Sequence, residues 1–340
     1  MAAQTSAARL IHVDDSLPGI GRERVGDGWR YRDAKGRIIR DAAEIRRLNA
    51  IALPPAYEDA WYCPAPNGHI LATGYDARGR KQYRYHPDFR LAQEADKYDR
   101  CAAFGHALPL LRARLEEDLN RRTLCQERVV GAVVRLLDLA ALRVGNEQYA
   151  AANNSFGATT LRRRHAKLTG KSLRLNYRAK GGAKREVVVS DRSLTTLVRR
   201  LQDLPGQHLF QYQDDDDICA VGSDDVNAYI RDAMGGAFSA KHFRTWTASV
   251  EAFAYLYDAA EPPTLKQLLQ HVADRLGNTP AIARKAYVHP AMILAAQERG
   301  DFAAEVGQLP RATRYLSRYE RGFLTYLERA PDAAELLRSA

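Results

Sequence analysis

The chain has 340 residues, which is enough for two domains with separate hydrophobic cores. Hydrophobic residues make up 46% of it and charged residues 27%, as in an ordinary globular protein, and no apolar run is long enough to cross a bilayer. The net charge of +10 favours a polyanionic partner, of which nucleic acid is the commonest.

The N-terminal part of the chain carries the signals of a small, antiparallel, β-rich domain. Residues 1–24 contain no apolar core and predict a flexible tail. Residues 25–95 contain several strand signals, and the strongest is Asn67-Gly68 between two apolar runs, which is typical of a hairpin turn. One short helix is predicted at residues 41–51, where Pro54 and Pro55 follow its end.

Residues 96–340 predict a larger, mainly α-helical domain that contains a three-stranded antiparallel sheet. Apolar residues recur at helical spacing over residues 127–144, and Gly145 suits the C-terminal cap of that helix. The three strands are predicted at residues 159–167, 172–179 and 183–190. Further helices are predicted at residues 239–259, 265–276 and 314–339. The predicted fold class is therefore α+β.

Five short segments agree in order and spacing with one family of enzymes. They are DARGRKQYRYH at 76–86, LRVGNEQY at 142–149, YRAKGG at 177–182, KHFRT at 241–245 and GNTPAIARKAYVHP at 277–290. Together they resemble the small poxvirus-like and bacterial type IB DNA topoisomerases, and the resemblance covers the chain from about Gly28 to its C-terminus. The implied catalytic domain is of the kind shared with tyrosine recombinases.

The resemblance implies a role for each of five residues. Tyr287 attacks the scissile phosphate and forms a 3′-phosphotyrosyl intermediate, while Arg143 and Arg244 hold the non-bridging phosphate oxygens. Lys180 is the general acid for the departing 5′ oxygen. Asn278 donates a further hydrogen bond, at a position where many family members have histidine. Because an amide cannot shuttle protons near neutral pH, Asn278 is left with positioning and electrostatic roles.

These residue types suit the implied chemistry. The phenol of tyrosine, with a pKa of about 10, is far more acidic than an alkyl hydroxyl, so the departing sugar oxygen is the more basic group and needs a proton donor. The arginine fork matches the phosphoryl oxygens on which charge accumulates. Taken alone, each residue has an ordinary alternative; Lys180 beside Gly181-Gly182 is typical of a solvated hairpin turn. Only the shared order of the five segments favours catalysis.

DNA binding is predicted in both domains. The resemblance implies DNA contacts for a set of basic, polar and aromatic side chains: Arg78, Arg80, Lys81, Gln82, Tyr83, Arg84, Tyr85, Tyr149 and Lys241. Independently, residues 158–189 contain a run of lysines and arginines with a single acid, Glu186, and a basic sheet face of this kind suits phosphate contacts. The alternative is a solvated charged surface.

The implied enzyme relaxes positive and negative supercoils by single-strand cleavage, swivelling and religation. It requires no cofactor, neither ATP nor an obligatory metal; Thr169-Gly170-Lys171-Ser172 is not a nucleotide-binding loop, because His165 stands where the first glycine belongs. The expected partner is duplex DNA, preferably supercoiled, around which a monomer clamps, and no membrane is involved. Four cysteines without a C-x-x-C pair argue against a zinc site and favour a reducing compartment, here the bacterial cytoplasm and its nucleoid.

Two other functions remain as alternatives. A tyrosine site-specific recombinase has the same catalytic fold and residue roles, but it lacks this β-rich N-terminal segment and normally has histidine where this chain has Lys241. A non-catalytic DNA-binding protein could use the same basic surfaces. It would not need the intact set of five catalytic residues.

Overall fold

The computed structural model describes residues 9–215 and 217–339, which divide into two compact units. The first unit ends at Ala95 and the second begins at Asp96. An antiparallel sheet forms the first unit and helices dominate the second, so the predicted α+β class is confirmed. The first eight residues of the predicted N-terminal tail lie outside the described residues. No helix within the described ranges has both the length and the apolar character that a membrane span requires.

The first unit is built on a five-stranded antiparallel sheet with the order β2-β1-β3-β4-β5. Its strands are β1 (Ile20–Val25), β2 (Gly28–Arg32), β3 (Glu58–Tyr62), β4 (Ile70–Tyr75) and β5 (Lys81–Tyr85). Helix α1 (Ala42–Ala50) packs Leu48 against the buried rings of Tyr31 and Tyr62, which meet edge to face with centroids 5.5 Å apart. The predicted hairpin around Asn67-Gly68 is present, since β3 and β4 pair on either side of it.

The predicted flexible tail was wrong from Ile20 onwards, because Ile20–Val25 is a strand that pairs with both β2 and β3. Ile20 is buried in the core of the sheet. The guanidinium of Arg22 donates to the carbonyl oxygens of Leu53 and Pro54, at 2.9 and 2.6 Å. The strand is thus held by contacts with residues more than 30 positions away, which its charged sequence does not reveal.

Helix α3 lies at the centre of the second unit, and ten of its 15 residues are buried. The helices of this part of the chain are α2 (Pro87–Leu119), α3 (Gln126–Ala140), α4 (Glu147–Asn153), α5 (Arg192–Leu201), α6 (Ser223–Met234), α7 (Ala240–Tyr257), α8 (Leu265–Leu276), α9 (Pro280–Ala286), α10 (Pro290–Glu298), α11 (Phe302–Val306), α12 (Arg318–Leu327) and α13 (Ala333–Ser339). Its strands are β6 (Ala166–Thr169), β7 (Ser172–Arg178), β8 (Lys184–Val189), β9 (Gln211–Asp214) and β10 (Asp217–Ala220). The predicted three-stranded sheet is present as β6-β7-β8, with the apolar side chains of β7 buried and its basic side chains exposed.

Three predicted boundaries in this unit were wrong. Helix α3 ends at Ala140 rather than at Val144, because Ala141 adopts the left-handed conformation. The strand predicted at 159–167 is largely two short 3₁₀ turns, at 158–160 and 163–165, and only its end joins β6. The helix predicted at 314–339 is interrupted between α12 and α13 by a segment that contains Pro331, which disfavours helical backbone in the residue before it.

Candidate active site

Arg143 lies in an irregular segment that follows α3, not at a helix end as the sequence had suggested. Its carbonyl oxygen accepts from the amide of Ala158 at 2.8 Å, and the neighbouring carbonyl of Val144 accepts from Thr159 at 2.7 Å. Gly157 packs so closely that a Cβ there would lie 2.6 Å from the Arg143 oxygen. The backbone of Arg143 is therefore fixed by the turn at 157–160.

Arg244 connects two elements of the site. It lies on α7 and is only 4% exposed. Its guanidinium donates to the carbonyl oxygen of Ala141, at the end of α3, and through Nη2 to that of Leu276 at 3.3 Å, at the end of α8. Both carbonyls belong to helix termini, where intrahelical partners are lacking and a cation is favoured.

Asn278 occupies the short turn between α8 and α9. Gly277 caps α8 in the left-handed conformation with φ of 62°, and the amide of Asn278 donates to Ala273 at 2.9 Å. The side-chain oxygen of Asn278 accepts from Nη2 of Arg143 at 2.7 Å. Thr279 then caps α9 by accepting from the amide of Ile282. Asn278 thus faces Arg143 because two helix caps fix its backbone.

Tyr287 directly follows α9, and its half-buried ring lies beside Arg244, with the guanidinium carbon 4.6 Å from the ring centroid. Burial acts to raise the pKa of the phenol, but the charges and hydrogen bonds of Arg244 and then Arg143 outweigh it. The pKa of Tyr287 is therefore lowered from its ordinary value of 10.0. A lowered pKa makes the phenolate, which is the nucleophilic form, more accessible near neutral pH.

Two contacts hold the backbone around Tyr287. Ser249, buried on α7, accepts from the amide of His289 at 3.0 Å and lies with its hydroxyl 3.4 Å from the Tyr287 carbonyl. Lys97 on α2 donates to the carbonyl oxygen of Ala286 at 3.1 Å, at the end of α9. The nucleophile is thus positioned by helices that are distant from it in sequence.

Two buried donors in this cluster have no hydrogen-bond partner among the residues that the structure describes. They are Nε of Arg244 and Nδ2 of Asn278. Buried N–H groups are nearly always paired, and leaving one unpaired costs about 1–3 kcal/mol. These unpaired donors belong to a cluster of two guanidinium groups, an amide and a phenol. Such a cluster suits an anionic ligand with several acceptor oxygens, for example a phosphodiester.

The structure therefore brings together Arg143, Arg244, Asn278 and Tyr287, but it does not bring Lys180 into the cluster. Lys180 lies at the exposed tip of the β7–β8 hairpin, in a short turn over residues 180–182. It makes no hydrogen bond or ion pair with any residue that the structure describes. Its role as general acid stays a prediction.

The residues expected to contact DNA in the first unit lie on and just before β5. Tyr83 and Tyr85 are exposed and stacked, with ring centroids 5.7 Å apart and planes 8° from parallel. Several of the polar side chains have protein partners: Arg80 and Gln82 contact Asp76, Lys81 pairs with Asp15, and Arg84 donates to the Ala52 carbonyl. Arg78 is exposed, as are Tyr149 on α4 and Lys241 on α7 in the second unit. Their contacts with DNA remain a prediction.

Sequence reasoning missed one arginine beside the site. Arg185 on β8 lines the same small depression as Arg143 and Arg244, next to the buried ring of Tyr177. Burial lowers the pKa of Arg185, and Tyr177 acts in the opposite direction. Its place in a run of charged residues resembled a solvated face, and only its contacts with the distant helix α8 distinguish it from its neighbours.

In the acidic run at 214–217, Asp214 ends β9 and Asp217 begins β10, and these two residues pair across the ladder; Asp216 lies outside the described residues. Among residues 9–215 and 217–339, no three His, Cys, Asp or Glu side chains lie close enough together to hold a metal ion. Thr169-Gly170-Lys171-Ser172 forms the turn of the β6–β7 hairpin.

The matching family models and a similar viral protein agree on one family. The family model of the eukaryotic DNA topoisomerase I catalytic core matches residues 86–299, and that of the bacterial DNA topoisomerase IB N-terminal domain matches residues 28–76. The chain is 30% identical over 287 residues to DNA topoisomerase 1B of Acanthamoeba polyphaga mimivirus. This alignment covers 80% of the chain and 85% of the viral protein. A solved complex of the XerH site-specific recombinase with its palindromic difH substrate after cleavage aligns with a TM-score of 0.34 and 17% identity, over 52% of this chain and 47% of that one.

Proposed function

The chain belongs to the type IB DNA topoisomerases, and from this membership we propose that it relaxes positive and negative supercoils through a covalent 3′-phosphotyrosyl intermediate. One DNA strand is cut, the free end swivels about the intact strand, and the same ester is used to reseal the break. The energy of the phosphodiester is kept in the ester, so no nucleotide is hydrolysed.

The observation that carries this proposal is the half-buried cluster around Tyr287. Its ring lies beside Arg244, and Arg143 lies against Asn278, so that two guanidinium groups and one amide surround a single phenol. The unpartnered donors of Arg244 and Asn278 are suited to non-bridging phosphate oxygens. A non-catalytic DNA-binding surface has no need for a nucleophile enclosed in this way.

The proposed cleavage step is a transesterification. The oxygen of Tyr287, having released its proton to solvent, forms a bond to phosphorus while the bond from phosphorus to the 5′ oxygen breaks. Arg143, Arg244 and Asn278 stabilise the charge on the non-bridging oxygens. Lys180 gives a proton to the departing 5′ oxygen, which leaves as a hydroxyl. Religation runs the same steps in reverse, with Lys180 accepting the proton.

The substrate and conditions are part of the proposal. We propose that a monomer clamps supercoiled duplex DNA, with contacts from β5 in the first unit and from the basic side of β7 in the second. Arg side chains stabilise the charge on the phosphate oxygens and Lys180 protonates the departing oxygen, so the proposed reaction requires neither ATP nor a metal ion. The proposed location is the bacterial cytoplasm, where nucleoid DNA is found.

The test is relaxation of a supercoiled plasmid in chelator and without nucleotide. The wild-type protein should relax supercoils of both signs and yield a covalent DNA complex when denatured during reaction. Tyr287→Phe should do neither, while it still binds duplex DNA. Relaxation by the Phe variant, or a requirement for ATP, would contradict the proposal. Recombination between paired sites, without relaxation, would favour the recombinase alternative.

A further inference from the structure

Arg185 links the hairpin that carries Lys180 to the turn that carries Asn278. It lies on β8, five residues after Lys180, and faces Tyr177 across the β7–β8 ladder. Its Nη2 donates to the carbonyl oxygen of Arg275 at 2.7 Å, and its Nη1 to that of Asp274 at 3.3 Å. Both carbonyls lie in the last turn of α8, directly before Gly277 and Asn278.

The fit between Arg185 and Gly277 is close. A Cβ at Gly277 would lie 2.3 Å from Nη1 of Arg185 and 2.7 Å from its guanidinium carbon. The guanidinium therefore packs closely against the backbone of the turn that Gly277 forms. The neighbouring carbonyl of Leu276 is bound by Arg244, so three successive carbonyls of α8 hold two arginines, one from the hairpin and one from α7.

Arg185 differs from Arg143 and Arg244 in how its donors are used. The terminal nitrogens of Arg185 and of Arg244 each donate to two backbone carbonyls, but of these two arginines only Arg244 keeps a buried Nε that no described residue pairs. Arg185 has no such unpaired buried donor, so its contacts suit it to holding two elements together rather than to binding a phosphate. The elements it joins are the β7–β8 hairpin and the end of α8.

We propose that Arg185 is a positioning residue, which fixes the β7–β8 hairpin to the C-terminal end of α8 so that Lys180 reaches the departing 5′ oxygen. The proposal rests on the topoisomerase function and on Lys180 as general acid. Within the described ranges nothing hydrogen-bonds or pairs with Lys180, so its placement depends on where the hairpin is anchored. A catalytic group displaced by about 1 Å can lose about 100-fold in rate.

The experiment measures single-turnover cleavage of a duplex with saturating protein, so that the rate constant does not depend on the fraction of folded protein. Arg185→Ala should lower the rate about 10- to 100-fold on the natural substrate. Arg185→Lys, which keeps the cation near the helix end, should lose less. Arg200→Ala is the matched control, because Arg200 also donates to a backbone carbonyl of another segment, that of Arg122 at 2.7 Å, and should cleave normally.

Two readouts separate positioning of Lys180 from other roles. Replacing the bridging 5′ oxygen by sulfur gives a leaving group that needs little protonation, so the Arg185→Ala defect should largely disappear. In a Lys180→Ala background, Arg185→Ala should change the rate by no more than about twofold, since the acid through which it acts is gone.

Three outcomes would overturn the inference: a normal rate for Arg185→Ala, an equal defect with oxygen and sulfur, or full additivity with Lys180→Ala. An equal defect with both substrates would mean that Arg185 acts on the phosphate or through Asn278. None of these results affects the topoisomerase proposal, which depends on relaxation by the wild type and its loss in Tyr287→Phe. If Lys180→Ala alone shows no oxygen-specific defect, the general-acid assignment fails instead, and the inference fails with it.

Discussion

Gly277→Ala tests the packing between Arg185 and the turn before Asn278. Gly277 has φ of +62°, and the added methyl group would lie 2.3 Å from Nη1 of Arg185, far inside van der Waals contact. Either the turn shifts or the guanidinium leaves the carbonyls of Asp274 and Arg275. We therefore expect a loss of both stability and cleavage rate.

The size of the effect follows from two contributions. Left-handed backbone costs an alanine about 1 kcal/mol relative to glycine. Displacing Arg185 from one or both carbonyls adds about 1–3 kcal/mol. Hydrogen bonds from a charged donor are stronger than those from a neutral one, but these two are partly exposed to solvent. The free energy of unfolding should therefore fall by about 2–4 kcal/mol, a large share of the usual 5–15 kcal/mol of a domain.

Gly235→Ala is the matched control for this experiment. Gly235 caps α6 with φ of +65°, almost the same as Gly277, but a Cβ there meets no atom within 4 Å. Its alanine variant should lose only the backbone contribution of about 1 kcal/mol. Urea unfolding of both variants measures the difference. Equal losses would refute the reasoning, as would a Gly277→Ala loss that is unchanged when Arg185 is already alanine.

Three further predictions concern the site and its support. Lys180→Ala should lower the cleavage rate about 100- to 10,000-fold, the usual contribution of a general acid, and a bridging sulfur should restore most of it; no restoration would reduce Lys180 to a phosphate contact. Asn278→Asp keeps an acceptor for Arg143 but loses the Nδ2 donor and adds a negative charge. The cleavage rate should therefore fall by about 100-fold or more, and further than in Asn278→Ala. An Asp variant that cleaves faster than the Ala variant would contradict this arrangement. Burial lowers the pKa of His289 from 6.5 to about 3. Between about pH 6.5 and pH 3 the imidazole therefore binds a proton in the unfolded chain but not in the folded one. As the pH decreases through this range, the free energy of unfolding should decrease by about 1.4 kcal/mol per pH unit. His289→Asn, which keeps a cap for α10, should flatten that dependence in melting curves at pH 7 and pH 5, and an unchanged slope would exclude His289 as its source.

Local signals predicted well those elements whose ends carry their own chemistry. Helix α8 was predicted at 265–276 and lies there, because Thr264 provides its N-cap and Gly277 its left-handed C-cap. The alternation of β7 predicted one buried and one basic face, because strand period and burial coincide. The end of α3 was missed because its left-handed residue is Ala141 rather than a glycine.

The candidate site was found through the order of its motifs rather than through their individual chemistry. Nothing near Arg143 in the sequence indicates that its guanidinium meets Asn278, 135 residues later. The anchoring of Arg185 on α8 spans 90 residues and depends on helix carbonyls, which every residue type supplies equally. Contacts of this kind carry no local signal, so they become visible only in the folded chain.

The unpartnered donors of Arg244 and Asn278 have a consequence for the free protein. An anion that accepts from both donors would make hydrogen bonds that no described residue makes, and it would make them only with the folded chain. Substrate binding and folding are thereby coupled, so DNA should raise the melting temperature, and the gain should keep growing with the logarithm of the DNA concentration above Kd. These two donors therefore link the stability of the fold to the ligand that the site binds.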